Sequence, residues 1–123
     1  MKLGISATEN NLHAAVDQRF GRCRYFLIVD SETKEINTID NQATQAQGGA
    51  GIQAAQTLVD HGVEAVLTGN IGPNAFQTLS AAHIKVYTNV NGSIEQAVDQ
   101  YVQGKLKETQ SSTVGSHAGM RGG

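Results

Sequence analysis

Three short segments of this chain carry residue types and spacings that could do chemistry. In HAAVDQRFGRCRYF, Arg19, Arg22 and Arg24 surround Cys23, with His13 at the start of the segment. Cations beside a thiol lower its pKa and favour the thiolate, the nucleophilic and metal-binding form. Guanidinium groups also hold anions through charge-assisted hydrogen bonds. A lone cysteine next to an apolar strand equally reads as a small core residue, and arginines at a strand edge as a solvated rim. In QAQGGAGIQAAQ, Gly48, Gly49 and Gly51 open a helix; in GNIGPNAF, Gly72, Pro73 and Asn74 open another. A helix start built from small residues exposes backbone N–H groups and carries roughly half a positive charge, which suits an anion. The same glycines would also let a helix pack closely on a sheet.

Other chemistries are excluded by spacing. Gly49, Gly51 and Ala54 fit the degenerate G-x-G-x-x-A dinucleotide pattern, but NQATQAQ separates them from the preceding strand and no acid closes AVLTG. No Walker lysine follows the glycines. His61 and His83 stand at helix ends and His117 in the tail, none in H-x-x-H or H-E-x-x-H spacing. There is no G-x-S-x-G elbow and no pairing of carboxylates for acid–base hydrolysis, so the expectation is a protein that is not an enzyme. A single cysteine excludes an internal disulfide and a Cys-only zinc site.

The elements that must position these residues are legible from patterning. At 123 residues and net charge -2, the chain fits one domain and gives no electrostatic case for nucleic acid. No apolar run approaches the ~20 residues of a membrane span, and Met1 leads straight into a strand-like segment, so no membrane partner and a cytoplasmic location are expected. KLGIS reads as a first strand, and RYFLIVD with EINTID as a hairpin with a buried inner and an exposed outer strand. Ile52, Ala55 and Val59, flanked by Leu58, give a helical stripe ending at His61-Gly62. EAVLTG is a buried strand, GPNAFQTLSAAH a helix with proline in its first turn, IKVYT a last strand. SIEQAVDQYVQG is the clearest helix, with Ser93 and Gln96 as a capping box. The order β-β-β-α-β-α-β-α gives an α/β fold: a mixed five-stranded sheet with one antiparallel strand, flanked by three helices on both faces. Both glycine-opened helix starts would then face the crevice beyond the strand C-termini, where open α/β sheets bind ligands. The folded domain is expected over residues 1–107, with 108–123 a disordered Gly/Ser-rich tail.

KLGISA, DQRFGRCRYFLIVD, GGAGIQAAQTLVDHGVEAVLTGNIGPNAFQTL and HIKVY, in this order and spacing, resemble the dinitrogenase iron-molybdenum cofactor biosynthesis family over roughly residues 1–107. The resemblance implies a ribonuclease H-like fold without nuclease activity, since the carboxylate set for two-metal chemistry is absent. It implies binding, carriage or assembly of an anionic iron-molybdenum or molybdenum-copper sulphide cluster, with cluster donor or acceptor proteins as partners. Nitrogenase-linked members often place His before the Phe-Gly pair; here that position is Arg19, which points to electrostatic holding rather than ligation. The expected cluster-binding residues are Arg19, Phe20, Gly21, Gly48, Gly49, Gly51, Gly72 and Asn74, with Cys23 and His13 as metal ligands. Two rivals stand beside this: a protein-interaction or regulatory module without a metal cofactor, presenting its sheet edge or tail, and a small enzyme acting on an anionic metabolite.

Overall fold

The computed structural model describes residues 1–41 and 50–113. Gly48, Gly49 and His117 lie outside them. The elements follow the expected order: β1 Lys2–Ala7, β2 Tyr25–Asp30, β3 Ile36–Asp40, α1 Ala50–Asp60, β4 Ala65–Leu67, α2 Pro73–Ala81, β5 Lys85–Tyr87 and α3 Ile94–Val102. They form one sheet in the order β3-β2-β1-β4-β5. β2 pairs antiparallel with both β1 and β3, while β1–β4 and β4–β5 are parallel, so β2 alone runs against the other strands. β1 and β4 sit inside the sheet and are covered on both faces, which is why they read as apolar runs; β3, at an edge, is mostly exposed, with only Ile36 and Ile39 half-buried. No helix among the described residues is long and apolar enough to cross a membrane.

The period-2 alternation of the strands divides the core in two. Phe26, Ile28, Val66 and Val86 meet α1 and α2 on one face; Leu3, Ile5, Leu27, Val29 and Leu67 meet α3 on the other. The local signals at the helix ends are realised: Pro73 opens α2 after the N-cap Gly72, and the Ser93 and Gln96 side chains satisfy each other's backbone N–H at the start of α3. Past the end of α1, Gly62 takes φ +71°.

Two expectations are corrected. The buried stripe of α1 is Ala54, Ala55 and Leu58, whereas Ile52 is 43 % exposed. The helix is rotated because its small residues let it approach its neighbours. A Cβ on Gly51 would lie 3.3 Å from Ala75 Cβ of α2, and Leu58 fills the space above Gly4 in β1, where a Cβ would lie 3.2 Å from Leu58 Cδ2. Secondly, the chain beyond residue 107 does not leave the domain at once. Glu108 bridges Tyr87, the Thr109 N–H donates to the Val86 carbonyl at 2.7 Å, and the Thr113 N–H to the Ile71 carbonyl at 3.0 Å. The contacts of Glu108 and Thr109 cover the otherwise open edge of β5, the role an edge strand needs filled.

Candidate functional site

Because β1, β3, β4 and β5 run in one direction, the starts of all three helices and the long β1–β2 loop gather at one end of the sheet. Backbone hydrogen bonds join the loop to the β4–α2 turn: the Asn70 N–H donates to the Gln18 carbonyl at 2.8 Å and the Phe20 N–H to the Asn70 carbonyl at 3.2 Å. Close approach of bare backbone completes the junction. A Cβ on Gly21 would lie 3.2 Å from Gly51 Cα, so the arginine loop rests against the first turn of α1, which in turn rests on α2. Between these three segments lies a cleft of about 540 Å³.

The structure brings Arg19, Phe20, Gly21, Gly51, Gly72 and Asn74 together around this cleft. Their parts differ. Phe20 is 2 % exposed and packs on Phe26, the rings tilted with centroids 5.1 Å apart, so it belongs to the core beneath the cleft. Gly21 and Gly51 line the cleft, but the space their missing Cβ atoms leave is taken by protein. The polar surface comes from Gln18, Arg19, Arg22 and Asn70, all exposed, and from the start of α2, and its charge comes from the two arginines. Gly72 offers no side chain to accept from the first-turn amides of α2, Pro73 has no N–H, and neither α1 nor α2 carries an acid in its first turn. α3 contrasts: it has Glu95 in its first turn and a completed capping box. The positive ends of the two helices beside the cleft are therefore not neutralised by their own first turns.

Asp17, which the sequence reading did not single out, organises the loop. Its buried carboxylate accepts from the Arg19 N–H at 2.9 Å and lies 3.4 Å from Arg19 Nε. The Asp17 carbonyl accepts from Ser6 Oγ at 2.7 Å, which in turn meets Thr68 Oγ1 at 2.8 Å. This polar chain links the ends of β1 and β4 to the Arg19 backbone. The signal in the sequence was the D-x-R spacing, which permits an Asx turn.

The two residues expected as metal ligands do not join the site. Cys23 is fully buried, its Sγ donating to the Phe20 carbonyl at 3.3 Å, and the Asn41 side chain covers its carbonyl at 2.8 Å. Burial, with the Asp17 charge adding to it, pushes the thiol up to about 12, the reverse of the lowering expected from the neighbouring arginines. His13 is exposed at the start of the loop and is not among the cleft-lining residues. Among the described residues no group of three or more His, Cys, Asp or Glu could hold a metal ion. The donor set thus fits an anion held by guanidinium and amide groups, and it does not fit a metal held by side-chain ligation.

The family model for the dinitrogenase iron-molybdenum cofactor matches residues 1–104. The chain belongs to this iron-molybdenum cofactor family. Among solved structures, this family member superposes on the apo form of the orange protein from Desulfovibrio gigas with TM-score 0.88 and 36 % identity, covering 91 % of this chain and 95 % of that one. It also superposes on a NifB-like protein from Thermotoga with TM-score 0.78 and 36 % identity, covering 91 % and 96 %. It is 32 % identical over 111 residues to an uncharacterised protein of Methanocaldococcus jannaschii, covering 88 % of this chain and 91 % of its relative.

Proposed function

We propose that this iron-molybdenum cofactor family member is a non-catalytic cytoplasmic carrier of an anionic metal–sulphur cluster, molybdenum-containing, which it takes from a donor protein and yields to an acceptor. The observation that carries the reading is the meeting of Arg19, Arg22 and the uncapped start of α2 around one cleft in a member of this family. The cluster is the cargo, of the iron-molybdenum or molybdenum-copper sulphide kind. Arg19 and Arg22 supply the countercharge, and the first-turn amides of Asn74 and Ala75 supply directional donors. Holding without ligation suits a carrier, because release then breaks no metal–protein bond. The strand order with β2 alone reversed supports a ribonuclease H-like classification. Among the described residues the cleft lining includes no Asp or Glu, so nuclease chemistry is no part of the reading.

The test is an anaerobic titration of the apo-protein with tetrathiomolybdate, with and without copper or iron, following charge-transfer bands and co-elution on a sizing column. Stoichiometric retained colour is expected. Replacing Arg19 and Arg22 by Ala should weaken retention by at least about tenfold for each charge-assisted hydrogen bond removed and flatten its dependence on salt. No retained metal in the wild type, or equal retention in the double variant, would sink the assignment and favour a metal-free interaction module.

A further inference from the structure

The family match ends at residue 104, yet a residue after it, Thr113, holds the backbone of a cleft-lining residue, Ile71. Ile71 lines the cleft, is 1 % exposed and immediately precedes the N-cap of α2. β4 ends at Leu67, so no ladder continues to Ile71. Both of its backbone groups are met by one residue: the Ile71 N–H donates to Thr113 Oγ1 at 2.8 Å, and the Ile71 carbonyl accepts from Thr113 Oγ1 at 3.2 Å and from the Thr113 N–H at 3.0 Å. Thr113 is carried there by a second pin at the end of β5. There the Thr88 N–H donates to Thr109 Oγ1 at 3.0 Å and the two hydroxyls lie 2.6 Å apart. A buried backbone pair without partners is strongly disfavoured, so the local geometry of the α2 start depends on this contact.

We propose that residues 108–113 form a positioning strap for the cleft, in which Thr113 fixes the Ile71 peptide and through it the amides at the start of α2. Thr113 is a positioning residue: it acts on the cargo only through Ile71 and Gly72. The strap lies outside residues 1–104, the span that the family model matches. The binding consequence rests on the cluster-carrier reading, whereas the effect on the Ile71 amide does not.

The experiment uses the full chain with Thr113→Val, which keeps shape and removes the hydroxyl, Thr113→Ser, which keeps the hydroxyl, and a variant with His117, Met120 and Arg121 all changed to Ala. Amide hydrogen exchange at Ile71 is read without ligand, and tetrathiomolybdate affinity is read separately. In Thr113→Val, Ile71 exchange should rise and affinity should fall, each by roughly fivefold, the equivalent of one hydrogen bond removed. Thr113→Ser and the triple variant should match the wild type. The strap is overturned if Thr113→Val leaves Ile71 exchange unchanged, or if the triple variant weakens binding as much as Thr113→Val does, which would transfer the effect to the tail's side chains. Wild type that retains no tetrathiomolybdate would refute the carrier reading, while Ile71 exchange still decides the strap.

Discussion

Gly69→Ala separates crowding from backbone strain as the reason a glycine is required. Gly69 sits where the β4–α2 turn crosses the arginine loop, and a Cβ there would lie 2.5 Å from Gln18 Cα. The Gln18 side chain, which also blocks the site, could swing away by giving up its 3.1 Å hydrogen bond to the Val90 carbonyl. The Cα cannot. The two segments must separate by about an ångström, straining the 2.8 and 3.2 Å backbone bonds between Gln18, Asn70 and Phe20. Overpacking costs about 1–3 kcal/mol, and two weakened hydrogen bonds add about 0.5–1 kcal/mol each, for roughly 2–5 kcal/mol together. At ~4 °C per kcal/mol for a domain of this size, the thermal midpoint should fall by roughly 10–20 °C. Gly62→Ala is the control: it has nothing within 4 Å of the added Cβ but φ +71°, and left-handed strain alone costs about 1–2 kcal/mol. Thermal and urea unfolding of both variants provide the measurement. A Gly69→Ala chain as stable as Gly62→Ala would refute the crossing geometry.

Alkaline pH should destabilise the protein. The Cys23 thiol ionises near its ordinary 9.0 when unfolded but only at about 12 when buried, so its contribution is complete below pH 9 and is lost as pH rises towards 12. Over that interval the loss is on the order of 4 kcal/mol, and Cys23→Ala should flatten the urea-midpoint profile there; an unchanged slope would contradict it. His83 follows the C-cap of α2 with φ 62°, a position where a Cβ is unfavourable. His83→Gly should therefore raise stability by about 0.5–1 kcal/mol, and a lowered thermal midpoint would show that the imidazole contributes more than its strain costs.

What the sequence made legible were features whose causes are local. The Ser93–Gln96 box and Pro73 act within one turn, and the apolar runs of β1, β2 and β4 follow from their burial on both sides. What escaped it depends on contacts between distant residues. Gln18 and Gly69 meet although 51 positions separate them, and Thr113 meets Ile71 across 42. The thiol is the clearest case. Arg22 and Arg24 flank Cys23 in sequence, but the turn over residues 20–22 and the bend at Arg24 leave both arginines exposed and Cys23 buried. Adjacency along the chain suggested a lowered pKa; the thiol's burial left desolvation to dominate.

The same distinction decides what the glycines contribute. Gly21, Gly51 and Gly69 each have their missing Cβ answered by Gly51, Ala75 and Gln18 respectively. They bring three backbone segments close together, so that a Cβ would crowd its neighbour at Gly21 and Gly51 and would be blocked outright by the Gln18 backbone at Gly69. A ligand-cradling glycine would leave its Cβ position facing open space in the cleft. At these three positions it faces protein, so the cleft is shaped by the glycines and its charge is supplied by others: Arg19, Arg22 and the amides of α2. Shape and charge are therefore carried by different residues.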